Sequence, residues 1–306
     1  KPRHIEAPTA RGNRVLPFPA RAPGARALKQ VVVTADDFGL AREVNEAVEA
    51  AHRGGVLTAA SLMVGAPAAE DAIARARRLP RLRVGLHLVL VEGRPVLPLQ
   101  RLPDLVEASG QFRSDMVRLG FDVFARPAVR RQVAAEIEAQ FEAYRATGLA
   151  LDHVNAHKHF HLHPTIAALV IAIGARYGLR GLRVPIEPAG VLAEIEPSAA
   201  RRWPVDPAAI WAALLGRRAR RAGLRSPDAV FGLAWSGAMT EPRFCGLLHH
   251  LSEGCTEIYM HPATCDRFEG HAPGYRYADE LAALTAPGAI AAARRPGVVL
   301  GGYGDF

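Results

Sequence analysis

The chain has 306 residues, 49% apolar and 22% charged, with a formal net charge of +8. This is ordinary globular composition, enough for one large α/β domain or two smaller ones, and it excludes a membrane-spanning helix, since no apolar run reaches the ~18 residues needed. The positive excess is local, since Lys1, Arg3, Arg11, Arg14, Arg21, Arg26 and Lys29 face Glu6 alone in the first 30 positions, and without interleaved aromatic and basic residues it makes no case for nucleic-acid binding.

Residues 1–29, punctuated by Pro2, Pro8, Pro17, Pro19 and Pro23, read as an extended or disordered basic arm. From residue 30 to 306 short β-rich runs alternate with helical patterns. The predicted strands are 31–36, 58–64, 83–90, 151–157, 181–185, 229–234, 256–260 and 298–303. "REVNEAVEAAHRGG" reads as a helix stopped by Gly54 and Gly55. Residues 92–125 interrupt the alternation as a Pro-rich, irregular insertion. "PAVRRQVAAEIEAQFEAYRATG" places Val129, Val133, Ile137 and Phe141 four apart and ends on Gly148. In "PAAIWAALLGRRARRAGLR", Trp211, Leu214 and Leu215 lead into Arg217, Arg218, Arg220, Arg221 and Arg225. That segment suits a barrel helix with a solvated arginine face, or one lying on an anionic membrane surface. Eight strand–helix units predict a single-domain, distorted TIM-like (β/α) barrel rather than an open sheet.

Candidate chemistry gathers at predicted strand ends. "VVVTADDFGL" runs a buried strand into Asp36 and Asp37, which either hold a cation between them or form an Asx turn capping the next helix. His87 sits in "RVGLHLVL" and His261 in "EIYMHPA". "LDHVNAHKHFHLHP" holds His153, His157, His159, His161 and His163; a strand continued through this run would put His157, His159 and His161 on one face. A barrel brings the carboxyl ends of its strands together on one face. Two neutral imidazoles and one carboxylate there make a divalent-metal set with open positions. Cys245, Cys255 and Cys265 lack a C-x-x-C pair, so they read as buried, reduced thiols rather than a zinc site. Adjacent aspartates do not suit a glycosidase, whose carboxylates face each other across ~5–9 Å.

"TADDFGLAREVNEAV", "VGLHLVLVEGRPVLP", "VNAHKHFHLHP", "LRVPIEP" and "EIYMHPA", with the closing "ADELAALTAPGAIAAARRPGVVLGGYGDF", resemble successive motifs of the YdjC-like (ChbG/HpnK) carbohydrate deacetylases. "VNAHKHFHLHP" is most similar to the HpnK branch, linked to hopanoid biosynthesis. The resemblance implies a distorted barrel, one divalent metal (Zn2+ favoured by the two-His, one-Asp set, Mg2+ as the other choice) and hydrolysis of an N-acetyl group from an amino sugar. Carried over by motif, Asp37, His87 and His157 would bind the metal, with His159 as the other choice for the third ligand. Asp36 would be the general base and His261 the acid, Arg183 would orient Asp36 or grip substrate, and His159 and His161 would contact it. The implied substrate is an N-acetylglucosaminyl hopanoid (bacteriohopanetetrol type), with soluble chito-oligosaccharides, or a barrel that binds sugar or metal without turnover, as the alternatives. The expected location is the cytoplasm, with peripheral contact at the inner face of the bacterial membrane through the Trp211–Arg225 segment.

Overall fold

The computed structural model describes residues 28–198 and 207–306. Among these, the strands are β1 (Lys29–Phe38), β2 (Ala59–Leu62), β3 (Arg83–Leu88), β4 (Val154–Ala156), β5 (Ala229–Phe231), β6 (Gly254–Met260) and β7 (Val298–Leu300). All pair in parallel, in the order β4-β3-β2-β1-β6-β5, with β7 alongside the first three residues of β1. The helices are α1 (Arg42–Gly54), α2 (Ala69–Arg77), α3 (Met116–Ala125), α4 (Pro127–Ala146), α5 (Pro164–Gly174), α6 (Ala189–Ile195), α7 (Pro207–Arg221), α8 (Glu241–His249), α9 (Tyr277–Thr285) and α10 (Pro287–Ala293). The architecture is a single-domain α/β fold, a curled parallel sheet completing a distorted TIM-like barrel. No helix among the described residues is long and apolar enough to cross a membrane.

The two-residue period of the strands sorts side chains to opposite faces. Val31, Val33 and Ala35 of β1 join the main apolar cluster with residues such as Val44 and Val48 of α1, whereas Val32 joins a separate small cluster with Ala59 and Tyr303. The same alternation sends Ala60 and Leu62, Leu86 and Leu88, Val154 and Ala156, and Ile258 and Met260 to the main cluster. Thr34, Asp36, Ser61, His87, Asn155, Glu257 and Tyr259 are left on the other face, inside the barrel. That interior is therefore polar, and its members must find partners.

The eighth strand expected at 181–185 is reduced to bridges. Leu182 bridges Val154 and Gly181 bridges Arg225. Arg183 N donates to Val154 O at 3.0 Å and Val230 N to Ile186 O at 2.8 Å. Residues 181–186 thus lie between β4 and β5, but Pro185 supplies no N–H for a regular ladder. A second correction concerns the histidine run. β4 stops at Ala156, and residues 157–162 form a 3-10 turn in which Lys158 and His159 take φ of +52° and +53°. His157, His159 and His161 therefore leave the strand in different directions instead of sharing a face.

Residues 92–125 contain a short 3-10 turn (Leu99–Arg101), one antiparallel bridge between Val106 and Phe112, and α3 at their end. Buried Gln140 and Glu136 of α4 fasten the approach to this segment: Gln140 Oε1 accepts from Val89 N, and Glu136 accepts from Val96 N and Leu97 N. Of the expected basic arm, residues 1–27 lie outside the described residues, and Lys29 already opens β1. Cys245 and Cys255 are half-buried and Cys265 is exposed, all free, so the expectation of three buried thiols fails.

Candidate metal centre and active site

β1 carries both aspartates, and its backbone separates them. Between Ala35 and Phe38 the register against β2 slips, and Asp37 takes φ +60°, a left-handed conformation that aspartate tolerates better than most residues. Asp36 keeps the inward direction of Val32 and Thr34. The kink turns Asp37, which plain alternation would aim at the helices, back toward His87 and His157. Asn45 of α1, fully buried, secures the turn: its Oδ1 accepts from Gly39 N at 2.8 Å and its Nδ2 donates to Ala68 O. The helix-capping alternative does not hold, because Ala41 is the N-cap of α1 and no side chain caps it.

Asp37 Oδ1 lies 3.2 Å from His87 Nε2 and 3.3 Å from His157 Nδ1. These three side chains form a cluster whose ligand atoms all fall within 4.8 Å of one another, and no cysteine takes part. His87 Nδ1 donates to Asn155 Oδ1 at 2.7 Å, which leaves the Nε2 lone pair directed at the carboxylate. That buried nitrogen has no hydrogen-bond partner. A lone pair facing an anionic oxygen is unfavourable unless positive charge sits between them. Burial works against a charged His157, yet Asp37 outweighs it and lifts the imidazole pKa, so the spot favours a cation. The donor set thus fits a divalent ion, with the Asn155 contact holding His87 in the ligating tautomer.

Asp36 has a different set of neighbours. Arg183, fully buried, gives Nη1 to Asp36 Oδ2 at 2.5 Å and Nη2 to Oδ1 at 3.0 Å. The same guanidinium gives Nε and Nη2 to Glu257 at 2.9 and 2.7 Å and lies over the Tyr259 ring, 4.4 Å from its centroid. Glu257 also accepts from Thr34 Oγ1 and Tyr303 OH, each at 2.6 Å. Asn155 Nδ2 donates to both Asp36 Oδ1 and Ser61 Oγ at 2.9 Å. Ser61 Oγ in turn meets His153 Nε2, whose Nδ1 donates to Asp152. The His153 imidazole can lie against β3 only because residue 85 is glycine: a Cβ there would stand 2.5 Å from the ring.

Burial pushes the Asp36 pKa up, but Arg183, helped by His87 and His261, holds it far below the carboxylate range. Glu257 is likewise lowered, burial being outweighed by Arg183. A carboxylate with a depressed folded-state pKa contributes stability above its unfolded value and loses it as pH falls. Those unfolded values are 3.8 for Asp36 and 4.5 for Glu257. Thermal scans should therefore show the contribution of this pair constant above about pH 5 and declining as pH drops below about 4. Glu257→Gln should flatten that acid slope; an unchanged slope would mean that the buried pair does not control it.

One cavity of about 790 Å³ connects these groups, lined by Asp36, Asp37, His87, His157, His159 and His261, with Glu92 and Arg94 of the 92–125 segment at its wall. His159 Nε2 meets Tyr259 OH at 2.9 Å, and burial first, then Arg183, keeps this imidazole neutral. His261 follows β6; burial lowers its pKa although both aspartates pull the other way, and its Nδ1 is buried without a partner. Arg183 and His161 lie behind the cavity wall, His161 Nε2 donating to Arg183 O at 2.9 Å. Reading of the sequence missed Asn155, Ser61, Glu257 and Tyr303. Glu257 alone left a signal, a carboxylate inside the β-rich run "TEIYM".

The chain is 32% identical over 279 residues to the carbohydrate deacetylase of Geobacillus stearothermophilus, covering 90% of this chain and 97% of that one. It is 33% identical over 165 residues to the carbohydrate deacetylase of Vibrio cholerae, covering 54% and 61%. A putative cellobiose-phosphate cleavage protein from Enterococcus faecalis superposes with a TM-score of 0.72 at 25% identity, over 91% of this chain and 99% of that one. Residues 30–295, from the first residues of β1 past the end of α10, match the family of YdjC-like proteins, and the chain belongs to that family.

Proposed function

We propose that this protein is a divalent-metal-dependent carbohydrate deacetylase that hydrolyses the acetamide of an N-acetylglucosamine unit carried on a hopanoid lipid. The observation that carries the reading is the juxtaposition at one cavity of the Asp37–His87–His157 cluster and a second, separately held carboxylate, Asp36. The names of the two bacterial relatives support the deacetylation, and the "VNAHKHFHLHP" run supports the lipid carrier.

An ion held by Asp37, His87 and His157, with Zn2+ favoured by two imidazoles and one carboxylate, would polarise the acetyl carbonyl and acidify a water molecule. Asp36 accepts the proton as the water oxygen bonds to the carbonyl carbon. Arg183 holds Asp36 ionised and makes it a weak base, so it is free to accept a proton and gives it up again readily. His261, kept neutral by burial, receives the proton that Asp36 took from the water and delivers it to the nitrogen as the C–N bond breaks, giving acetic acid, which ionises to acetate, and a free amine. His159, on the cavity wall and anchored to Tyr259, is placed to contact sugar hydroxyls.

Acetate release from the metal-loaded protein tests this, with an N-acetylglucosaminyl hopanoid in detergent and N,N′-diacetylchitobiose as the two substrates. Acetate from the lipid alone, abolished by His87→Ala, is the expected result. Acetate from chitobiose alone would keep the chemistry and replace the carrier. No acetate from either, with metal bound, would leave a binding barrel.

A further inference from the structure

Two helices outside the barrel present apolar side chains that the described fold does not cover. On α3, Val117, Phe121 and Phe124 are 86%, 69% and 69% exposed, at the i, i+4, i+7 spacing of one helical face. On α7, Ile210, Trp211 and Leu214 are 42–55% exposed. These account for six of the ten large apolar side chains exposed among the described residues. Each helix already buries another face, Leu119 and Val123 on α3, Ala212, Leu215 and Ala219 on α7, so the outer faces are not needed for the core.

His163 bridges the two helices. At the start of α5, its ring stands edge-on to Trp211, centroids 5.8 Å apart, and packs at Gly120 of α3, where a Cβ would lie 3.4 Å from it. The outer stripe of α7 then continues from Trp211 and Leu214 into Arg217, Arg218 and Arg221, all exposed. Arg218 reaches back to Pro164 O. No acidic residue occurs between positions 207 and 227.

A patch of Phe, Trp and aliphatic groups bordered by arginines matches a surface lying in a lipid headgroup layer, with rings at the acyl boundary and guanidinium groups on phosphates. We propose that the α3–α7 surface docks this protein on an anionic lipid bilayer. A second copy of the chain fits less well. A two-fold contact would set the same acid-free arginine stripe against or beside itself, with nothing on α7 to neutralise it. The docking does not depend on the substrate assigned above. It is also near the cavity in sequence, since the turn that begins at His157 ends one residue before His163.

Flotation of the full chain with vesicles tests the proposal. One set holds equal parts phosphatidylglycerol and phosphatidylcholine, the other phosphatidylcholine alone. The protein should rise with the anionic set, and the Trp211 emission should shift to the blue, a shift lost in Trp211→Phe. Phe121→Ser/Phe124→Ser should lower partitioning by at least roughly 30-fold with the circular dichroism spectrum unchanged. Arg217→Gln/Arg221→Gln should lower it by roughly 30-fold on the anionic set. Binding that survives Phe121→Ser/Phe124→Ser would assign it to charge elsewhere on the chain and overturn the proposal. So would a failure to float, or a dimer in solution dissociated by the same pair of substitutions. None of these readouts involves turnover, so a failure of the deacetylase reading leaves the docking result standing.

Discussion

Replacing Arg183 with Met is expected to destabilise the fold by about 3–5 kcal/mol, a fall of about 10 °C in the unfolding midpoint. The guanidinium is fully buried and makes all the arginine hydrogen bonds found to two buried carboxylates, Asp36 and Glu257. Removing it strands two negative charges in the barrel interior, where the remaining donors, Thr34, Tyr303 and Asn155, are neutral. Arg183→Lys keeps the charge but not the fork, because one ammonium cannot present three nitrogens to two carboxylates, so it should recover only part of the loss. Adding Glu257→Gln to Arg183→Met should cost less than the sum of the separate effects, as expected for partners in one network. Calorimetry of the native protein, Arg183→Met, Arg183→Lys, Glu257→Gln and the double variant decides this. If Arg183→Met unfolds at the native temperature, the buried triad is not what holds the barrel interior together. Activity should fall at least roughly 100-fold in both Arg183 variants, since Asp36 would lose the contact that fixes its direction.

That triad also marks where sequence reading stops. The strand ends bearing Asp36, Asp37, His87 and His261 were legible because apolar β-runs terminate in residues that a core does not want, and a parallel barrel collects such ends on one face. The roles of individual residues came from the ordered motifs and not from spacing. What could not be read is the set of contacts made across the barrel. Glu257 and Arg183 are 74 positions apart and Asp36 and Arg183 are 147 apart, and nothing local in either segment announces the partner. The turn after Ala156 is hidden in the sequence for a local reason. The alternation of His157, His159 and His161 has the period of a strand, but Lys158 and His159 adopt left-handed backbone angles that no residue in the run requires by its type. Leu182 and Arg183, expected within a strand at 181–185, lie beside β4, while Pro185 keeps the segment from forming a regular strand. The outward rings of Phe121 and Phe124 were hidden inside a stretch whose prolines suggested irregular chain throughout.

Asp36→Asn and Asp37→Asn, one atom changed in adjacent residues, should fail in different ways. Asp37 Oδ1 faces both imidazoles, and a neutral amide oxygen there is a far weaker ligand, so Asp37→Asn should bind Zn2+ at least roughly 100-fold more weakly. Asp36 is directed at Arg183 and Asn155 instead. Asp36→Asn can still accept from Asn155, and Arg183 keeps Glu257, so fold and metal site should survive while turnover falls roughly 100- to 10,000-fold with the loss of a proton acceptor. Metal content after dialysis separates the two, and thermal unfolding does so without any substrate. A ligand at 100 times its dissociation constant stabilises by about 2.7 kcal/mol, so saturating Zn2+ should raise the midpoint of the native protein and of Asp36→Asn but hardly move that of Asp37→Asn. Equal stabilisation of both variants would remove Asp37 from the metal set. Equal loss in both would mean that Asp36 also reaches the ion, and the water would then need a different base, with the neutral imidazoles of His261 and His159 on the same cavity wall as the candidates.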